Sequence, residues 1–188
     1  MCFVLFSAAT IAQTPTSQNL VLNQPIEREI KGGESQFYAV NIGAMNTARV
    51  EIVQKGVEVS LAAYNPGGEK FLEAQSPSGV LGNDLILVTA IQAGEYKVSV
   101  EPAAPKAAPG TYQIKLSEIR PTVAEDNLIN ERARQIYALN NEITVLQQNN
   151  TREARRQIVE KYQQIIALAR LQADKVWEIV AVVMMGLI

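Results

Sequence analysis

The sequence predicts an all-β sandwich followed by an all-α helical hairpin, and three observations predict it. Short segments rich in Val, Ile, Tyr and Thr recur between residues 20 and 119, separated by Gly, Pro and Asn at intervals of about 8 to 12 residues, the spacing of sandwich strands. Beyond Arg120-Pro121 the apolar residues return at every third or fourth position instead, the period of a helix. The dipeptide itself is punctuation. Proline lacks an amide hydrogen and biases the preceding residue toward extended geometry, so a last strand can end at Ile119 and a helix can start just after Pro121. The chain divides into 1–19, a signal-peptide remnant and linker; 20–120, the sandwich; and 121–188, the helical segment.

Residues 1–12 form a short apolar stretch ending in small side chains, with Thr10 and Ala12 making an imperfect version of the small-x-small signal-peptidase site, followed by a polar run over 13–19. A basic leading region is missing, so the true start is expected upstream of Met1; a buried N-terminal strand is the alternative. The first reading implies a secreted or periplasmic protein. Cys2 has no apolar stretch before it, which argues against a lipid anchor. As the sole cysteine it offers neither a disulfide framework nor a thiolate metal site.

In order, the expected strands are 20–22, 26–30, 36–42, 48–54, 57–64, 70–74, 85–90, 96–101 and 111–119. Alternation is clearest where Tyr96, Val98 and Val100 interleave with Lys97, Ser99 and Glu101, and where Tyr112, Ile114 and Leu116 interleave with Gln113, Lys115 and Ser117. Lys31-Gly32-Gly33, Asn65-Pro66-Gly67-Gly68 and Ala93-Gly94 supply turn chemistry. Gly67-Gly68 is followed by no Lys-Ser or Lys-Thr and opens no helix, so it is a turn and not a phosphate loop. The run Glu101-Pro-Ala-Ala-Pro-Lys-Ala-Ala-Pro-Gly110 has linker composition, but a matching strand follows it, which makes it a loop within the sandwich.

Composition narrows the function. With 188 residues and 47% hydrophobic content the chain can bury a real core. A net charge of -2 supplies no basic field for nucleic acid or an anionic bilayer. The absence of histidine removes the commonest general base and metal ligand.

The runs Pro25-Ile-Glu-Arg-Glu-Ile-Lys-Gly-Gly-Glu-Ser-Gln-Phe-Tyr38, Val53-Gln-Lys-Gly-Val-Glu-Val59 and Tyr64-Asn-Pro-Gly-Gly68, with Ala93-Gly-Glu-Tyr96 and Pro109-Gly-Thr-Tyr112, resemble the pre-peptidase C-terminal type of β-sandwich. The resemblance implies a jelly-roll-like accessory domain of secreted bacterial proteins. With the helices it is similar to the N-terminal region of bacterial tetratricopeptide-repeat proteins, some of which end in a caspase-like CHAT peptidase domain. No residue here matches a peptidase site. The paired Gly and Tyr have a plain structural role: glycine permits a tight strand entry, and tyrosine two places on buries its ring while its hydroxyl reaches water.

Some relatives of that sandwich are proposed to bind calcium or carbohydrate through loops, and Asn65, Glu69, Asn83 and Asp84 are oxygen-bearing loop residues here. They are separated in sequence with no acidic repeat, whereas calcium takes six or more converging oxygens, so no metal site is assigned. A hydrolase reading has Ser35, Ser76 and Ser78 as nucleophile types. Without histidine it needs a depressed lysine, and Lys31 and Lys70 sit at turns and strand ends. A carbohydrate or adhesion reading has Phe37, Tyr38, Tyr64 and Phe71 as stacking residues, but they alternate with polar neighbours as core residues do.

In the helical segment Thr122 is the expected cap, with Glu125 three residues on, and the first helix reaches about residue 148 with a stripe of Ile129, Ala133, Ile136, Ile143 and Leu146. Asn149-Asn150 breaks the pattern, and Thr151 opens a second helix with Ala154, Ile158, Tyr162, Ile165 and Ala169 as its stripe. Its Ile158-x-x-x-Tyr162-x-x-Ile165 resembles the second half of a tetratricopeptide repeat, with isoleucine at small-residue positions. Asp174 caps a third helix with Trp177, which from 176 to 188 carries one charge and is about 20 Å long, short of the ~30 Å needed to span a bilayer. Its apolar surface implies a missing next helix, so the chain is expected to be the N-terminal fragment of a longer protein, or to self-associate.

The expectation is a non-catalytic, extracytoplasmic interaction or scaffold module. It has no catalytic, cofactor-binding or metal residue and takes a protein or peptide through its helices, the protein-binding residues being unassigned. The alternatives are a carbohydrate-binding or adhesion sandwich, or an accessory region of a CHAT-type peptidase.

Overall fold

Side-chain alternation sorts the strands into two layers. In the computed structural model, which describes residues 17–75 and 79–188, one sheet has five strands in the order β1-β3-β8-β5-β6. These are β1 (Gln18–Asn19), β3 (Gln36–Ile42), β5 (Val59–Tyr64), β6 (Lys70–Ala74) and β8 (Gly94–Pro102). The other sheet has four, in the order β2-β9-β4-β7: β2 (Ile26–Ile30), β4 (Asn46–Lys55), β7 (Asn83–Ala90) and β9 (Gly110–Pro121). Every pairing is antiparallel except β1 with β3. Tyr38, Val40, Ile42, Val98 and Val100 from the first sheet meet Val50, Ile52, Ile86, Val88, Ile114 and Leu116 from the second in one apolar interior.

Two phenols cross that interior. Tyr38 and Tyr112 share a hydroxyl–hydroxyl bond of 2.5 Å, their rings stand edge to face at 89°, and the Tyr112 hydroxyl donates to Gln36 Oε1 at 2.6 Å. Burial, then the bond to Tyr38, pushes the Tyr112 phenol up, and burial also raises Tyr38. Both are therefore neutral donors that pin one sheet to the other.

The proline-rich run is a loop within the sandwich. It lies on Gly32, whose N–H bonds the Ala107 carbonyl at 3.0 Å, and a Cβ at Gly32 would come within 2.5 Å of the Pro105 carbonyl oxygen. Strand ends depart from the sequence expectation where tertiary contacts decide them. The first paired strand is Gln18–Asn19 instead of 20–22, while Leu20 turns into the core. The strand expected from 57 starts at Val59, after Gly56 at φ +99. The last strand runs past Ile119 to Pro121, with a bulge opposite Arg49/Val50; Pro121 faces Asn46 at the end of the ladder, where a missing N–H costs little.

Three helices follow: α1 (Ala124–Leu146), α2 (Arg152–Leu171) and α3 (Lys175–Met185). They have their own interior, built from Ile136, Ile143, Ile158, Tyr162, Ile165, Ala169, Trp177 and Ala181. Thr151 and Asp174 cap α2 and α3 as expected. The first helix differs: the expected cap, Thr122, spends its hydroxyl on Thr47 at 2.9 Å, and Val123 occupies the cap position. Asp126 reaches back to take the Val123 N–H at 3.0 Å, the half of a capping box that Glu125 was expected to supply.

Asp126 does more than cap. Its carboxylate, 1% exposed, receives both terminal nitrogens of Arg120 at 2.6 Å and the Thr47 hydroxyl at 3.0 Å, so the last strand, the neighbouring strand and the first helical turn meet at one group. From there α1 runs against β7 and β6, the two edge strands on that side of the sandwich. Helix side chains take carbonyls along this border. Asn130 donates to Leu87 at 3.0 Å, Arg134 to Phe71 at 3.1 Å, and the Trp177 indole to Gln75 at 3.2 Å. An open edge invites pairing with another chain, and here it is covered.

The Arg120 guanidinium, and then the backbone and Thr47 donors, hold the Asp126 carboxyl down to about 2 against an ordinary 3.8. Its folded value is depressed, so its contribution is complete above pH 4 and is lost as pH falls toward 2. With Arg120 partly in water this amounts to about 1–2 kcal/mol. Urea midpoints measured from pH 7 to pH 2 should fall on the acid side, and Asp126→Asn should lower the midpoint at pH 7 while flattening the slope between pH 4 and pH 2. Asn130→Ala should strip the Leu87 carbonyl of its donor at a cost of about 1–2 kcal/mol, or roughly 2–8 °C in melting temperature by calorimetry, with hydrogen exchange accelerating in β7 before β8.

Candidate functional site

Strand β7 carries apolar side chains on both faces. Ile86 and Val88 point into the sandwich, while Leu85 and Leu87 point outward. Leu87 is only 3% exposed because α1 covers it, whereas Leu85 and Val53 on the same outer face are each 38% exposed. The helices cover one end of this apolar strip and leave the other open. The result is a cleft of about 610 Å³ between the outer face of the four-stranded sheet and the helical segment. Val53 and Leu85 form its floor, and Ile129, Ala133 and Ile136 of α1 face Val176 and Trp177 of α3.

Polar groups stand at the rim. Arg49 Nε donates to Glu51 Oε1 at 2.7 Å, and that bond, helped by Ser117 and Lys115, lowers the Glu51 carboxyl below its ordinary value. Arg49 pairs with Leu87 and Ile52 with Asp84, so the arginine and Asp84 stand about 10 Å apart along β4. Asp84 is a buried carboxylate that accepts from Gln54 Nε2 at 3.1 Å. Asp174 is engaged at its cap, and Gln172 donates weakly to it at 3.4 Å. The Gln172 carbonyl oxygen is buried and has no partner among the described residues.

The apolar wall continues onto α3. Val176, Ile179, Val182 and Val183 are 39%, 61%, 48% and 55% exposed, and Leu187 extends the row. The charges of this helix stay off that row: Glu178 binds Lys175 and Arg170, and those bonds lower its carboxyl. Among the described residues no helix is long and apolar enough to cross a membrane.

The four loop oxygens considered for calcium do not converge. Asn65 and Glu69 bond each other across the β5–β6 turn, which lies on Gly94 just beyond the C-terminal end of β7. Asn83 and Asp84 start β7, roughly 20 Å away along the strand. Among the described residues no three acidic, His or Cys side chains gather. Ser35 is exposed at a turn, Ser76 and Ser78 lie outside the described residues, and so do Cys2 and residues 1–16. Lys31 pairs with Glu34 at 3.6 Å, and Lys70 bonds Glu73, which raises its ammonium and keeps it from acting as a base.

The four aromatics divide. Tyr38 is core, and Phe71 packs on the core edge-to-face with Tyr96. Phe37 and Tyr64, read from the sequence as core residues, lie on the outer face of the five-stranded sheet, because their inward neighbours are Tyr38 and Ala63. Their rings are 5.9 Å apart and tilted by 55°, half-buried against each other. Several cleft residues were singled out from the sequence in other roles, Ile129, Ala133 and Ile136 as a core stripe and Asp174 as a cap, and none as lining a cleft. One signal was there: Leu85-Ile86-Leu87-Val88 is apolar without alternation, as a strand covered on both faces must be.

Neither a protein-family model nor a curated protein matches the chain. Among solved structures the chain is similar to the pre-peptidase C-terminal domain of a collagenase from Bacillus anthracis, with 14% identity, 58% of this chain and 100% of that one covered, and a TM-score of 0.44. It is also similar to PliG of Aeromonas hydrophila, a periplasmic inhibitor of g-type lysozyme, with 12% identity, 53% and 92% covered, and a TM-score of 0.42. A third is CorA of Methylomicrobium album BG8, a surface-associated copper-binding protein, with 8% identity, 57% and 98% covered, and a TM-score of 0.46.

Proposed function

We propose that this chain is a non-catalytic, extracytoplasmic interaction module whose sandwich anchors a helical segment that opens a tetratricopeptide-like array and docks an amphipathic helix of a protein partner. The observation that carries the reading is the outer face of α3, where Ile179 and Val183, continued by Leu187 just past the helix, form an exposed apolar row that starts at Val176 on the cleft wall. The array is supported by α2, which packs on both α1 and α3 through Ile158, Tyr162 and Ile165. The pair from Ala124 to Leu171 is longer than a repeat of about 34 residues, so in this reading α1 and α2 form an extended, degenerate capping repeat and α3 opens the next. Export is supported by the apolar stretch over 1–12.

A second reading, carbohydrate binding, is favoured by Phe37 and Tyr64 on an outer sheet face. Their tilt presents an edge and a face instead of one plane, which makes it the weaker of the two.

A phage library of amphipathic helical peptides selected against the protein tests the docking reading. Selected peptides should bind the unaltered chain and lose at least tenfold in affinity to Ile179→Glu, with an unchanged melting curve as the control. Peptides indifferent to that replacement would sink it.

A further inference from the structure

We propose that the cleft between the four-stranded sheet and the helices takes a long-stemmed basic side chain, a lysine or arginine presented by a partner protein. The inference rests on the interaction-module reading, names the chemistry of one contact within it, and uses a surface other than the outer row of α3.

Charge is the first constraint. The lining holds one guanidinium, Arg49, against three carboxylates, those of Glu51, Asp84 and Asp174. Arg49 is already held by Glu51 at 2.7 Å. Next to the cleft on β9, Lys115 lies across from Glu51 and Glu118 across from Arg49, so these two offset each other, while Arg120 gives both terminal nitrogens to Asp126. The cleft stays negative. On the helical wall Arg170 and Lys175 both bind Glu178, and Asp174 forms no ion pair among the described residues. It accepts only the Trp177 N–H at 3.1 Å and a weak bond from Gln172 at 3.4 Å.

Hydrogen bonding points the same way. The Gln172 carbonyl oxygen, next to Asp174, is a buried acceptor with no donor among the described residues, and such an acceptor is costly. An ammonium or a guanidinium is charged and donates only, so it suits both groups.

The floor sets the length of the ligand. Val53 and Leu85 are each 38% exposed at the bottom of a concavity of about 610 Å³, apolar surface on which methylenes can lie. Lysine and arginine lay an aliphatic stem along such surface and keep the charged head at a polar rim. A bare metal ion would meet none of the floor, and the carboxylates do not converge to hold one. An apolar side chain would leave the negative charge without a counterpart.

Trp177 lines the cleft and is the only tryptophan in the chain, so its fluorescence reports occupancy. The probes are N-acetyl-Ala-Ala-Lys-Ala-Ala-amide and three relatives with Nε-acetyl-lysine, norleucine or 2,4-diaminobutyrate in place of the lysine, each titrated into the intact chain. The lysine peptide should shift the Trp177 emission saturably. Acetyl-lysine and norleucine keep a stem without the charge, diaminobutyrate keeps the charge on a shorter stem, and all three should bind at least tenfold more weakly. Asp174→Asn retains a capping side chain and should weaken the lysine peptide while leaving norleucine unchanged. Arg49→Gln should tighten the lysine peptide, because it removes the competing cation, and Leu85→Ser should weaken lysine and norleucine alike. Ile179→Glu should bind the lysine peptide no more weakly than the unaltered chain does, so failure of docking at the α3 row and failure of this site are told apart. No saturable change with the lysine peptide, norleucine or diaminobutyrate binding as tightly as lysine, or Arg49→Gln binding no tighter, would each overturn the proposal. Unchanged melting curves for Asp174→Asn and Arg49→Gln keep a folding defect from passing as altered recognition.

Discussion

Everything on the helical side of the molecule is placed by one carboxylate. Asp126 gathers Arg120 from the last strand, Thr47 from its neighbour and the N–H of Val123, and all of these sit within one turn of the point where strand becomes helix. Strand ends and helix starts normally meet through solvated loops of several residues, free to swing. Here Thr122 and Val123 are the whole connection, and both are tied down: the Thr122 N–H to Met45, its hydroxyl to Thr47. The direction of α1 is fixed at its first turn by these bonds and along its length by those of Asn130 and Arg134.

That direction has two consequences for the surface. It lays α1 over the exposed borders of β6 and β7, where Asn130 and Arg134 occupy carbonyls that would otherwise be available to a foreign strand. It also leaves a gap, because a straight helix cannot follow a twisted sheet along its whole width. The cleft is that gap. Its apolar floor is the uncovered remainder of a strip whose covered part, Leu87, holds the two units together.

The period-two stretches 96–101 and 111–119 were legible in the sequence because their alternate apolar residues all face the core, even though Ser99 on the other face of β8 is buried too, and the stripes of α2 because its buried positions are all apolar. Legibility failed where a distant partner decided the outcome. Thr122 has the right side chain for a cap, but Thr47, 75 positions earlier, claims it. Alternation along β3 marks two faces without saying which is inward, and with Phe37 beside Tyr38 either aromatic could have been core. The α1 stripe was read through Ile129 and Ala133, yet the residues buried deepest at that end are Asp126 and Asn130, polar groups whose partners lie in the sandwich. The cleft was beyond reach for the same reason: Trp177 and Gln75 are 102 positions apart, and no local pattern joins them.

The placement of β9 also governs how the molecule would carry load. Tension entering through α3 and α2 meets contacts that can open one after another, first between helices and then at the Asn130 and Arg134 bonds. Beyond Asp126 it meets a twelve-residue strand gripped on both sides, by β2 and by β4, whose many ladder bonds share the strain. Pulled from its C-terminal side, a chain built in this order parts between its helices before the long strand that roots them leaves the sheet.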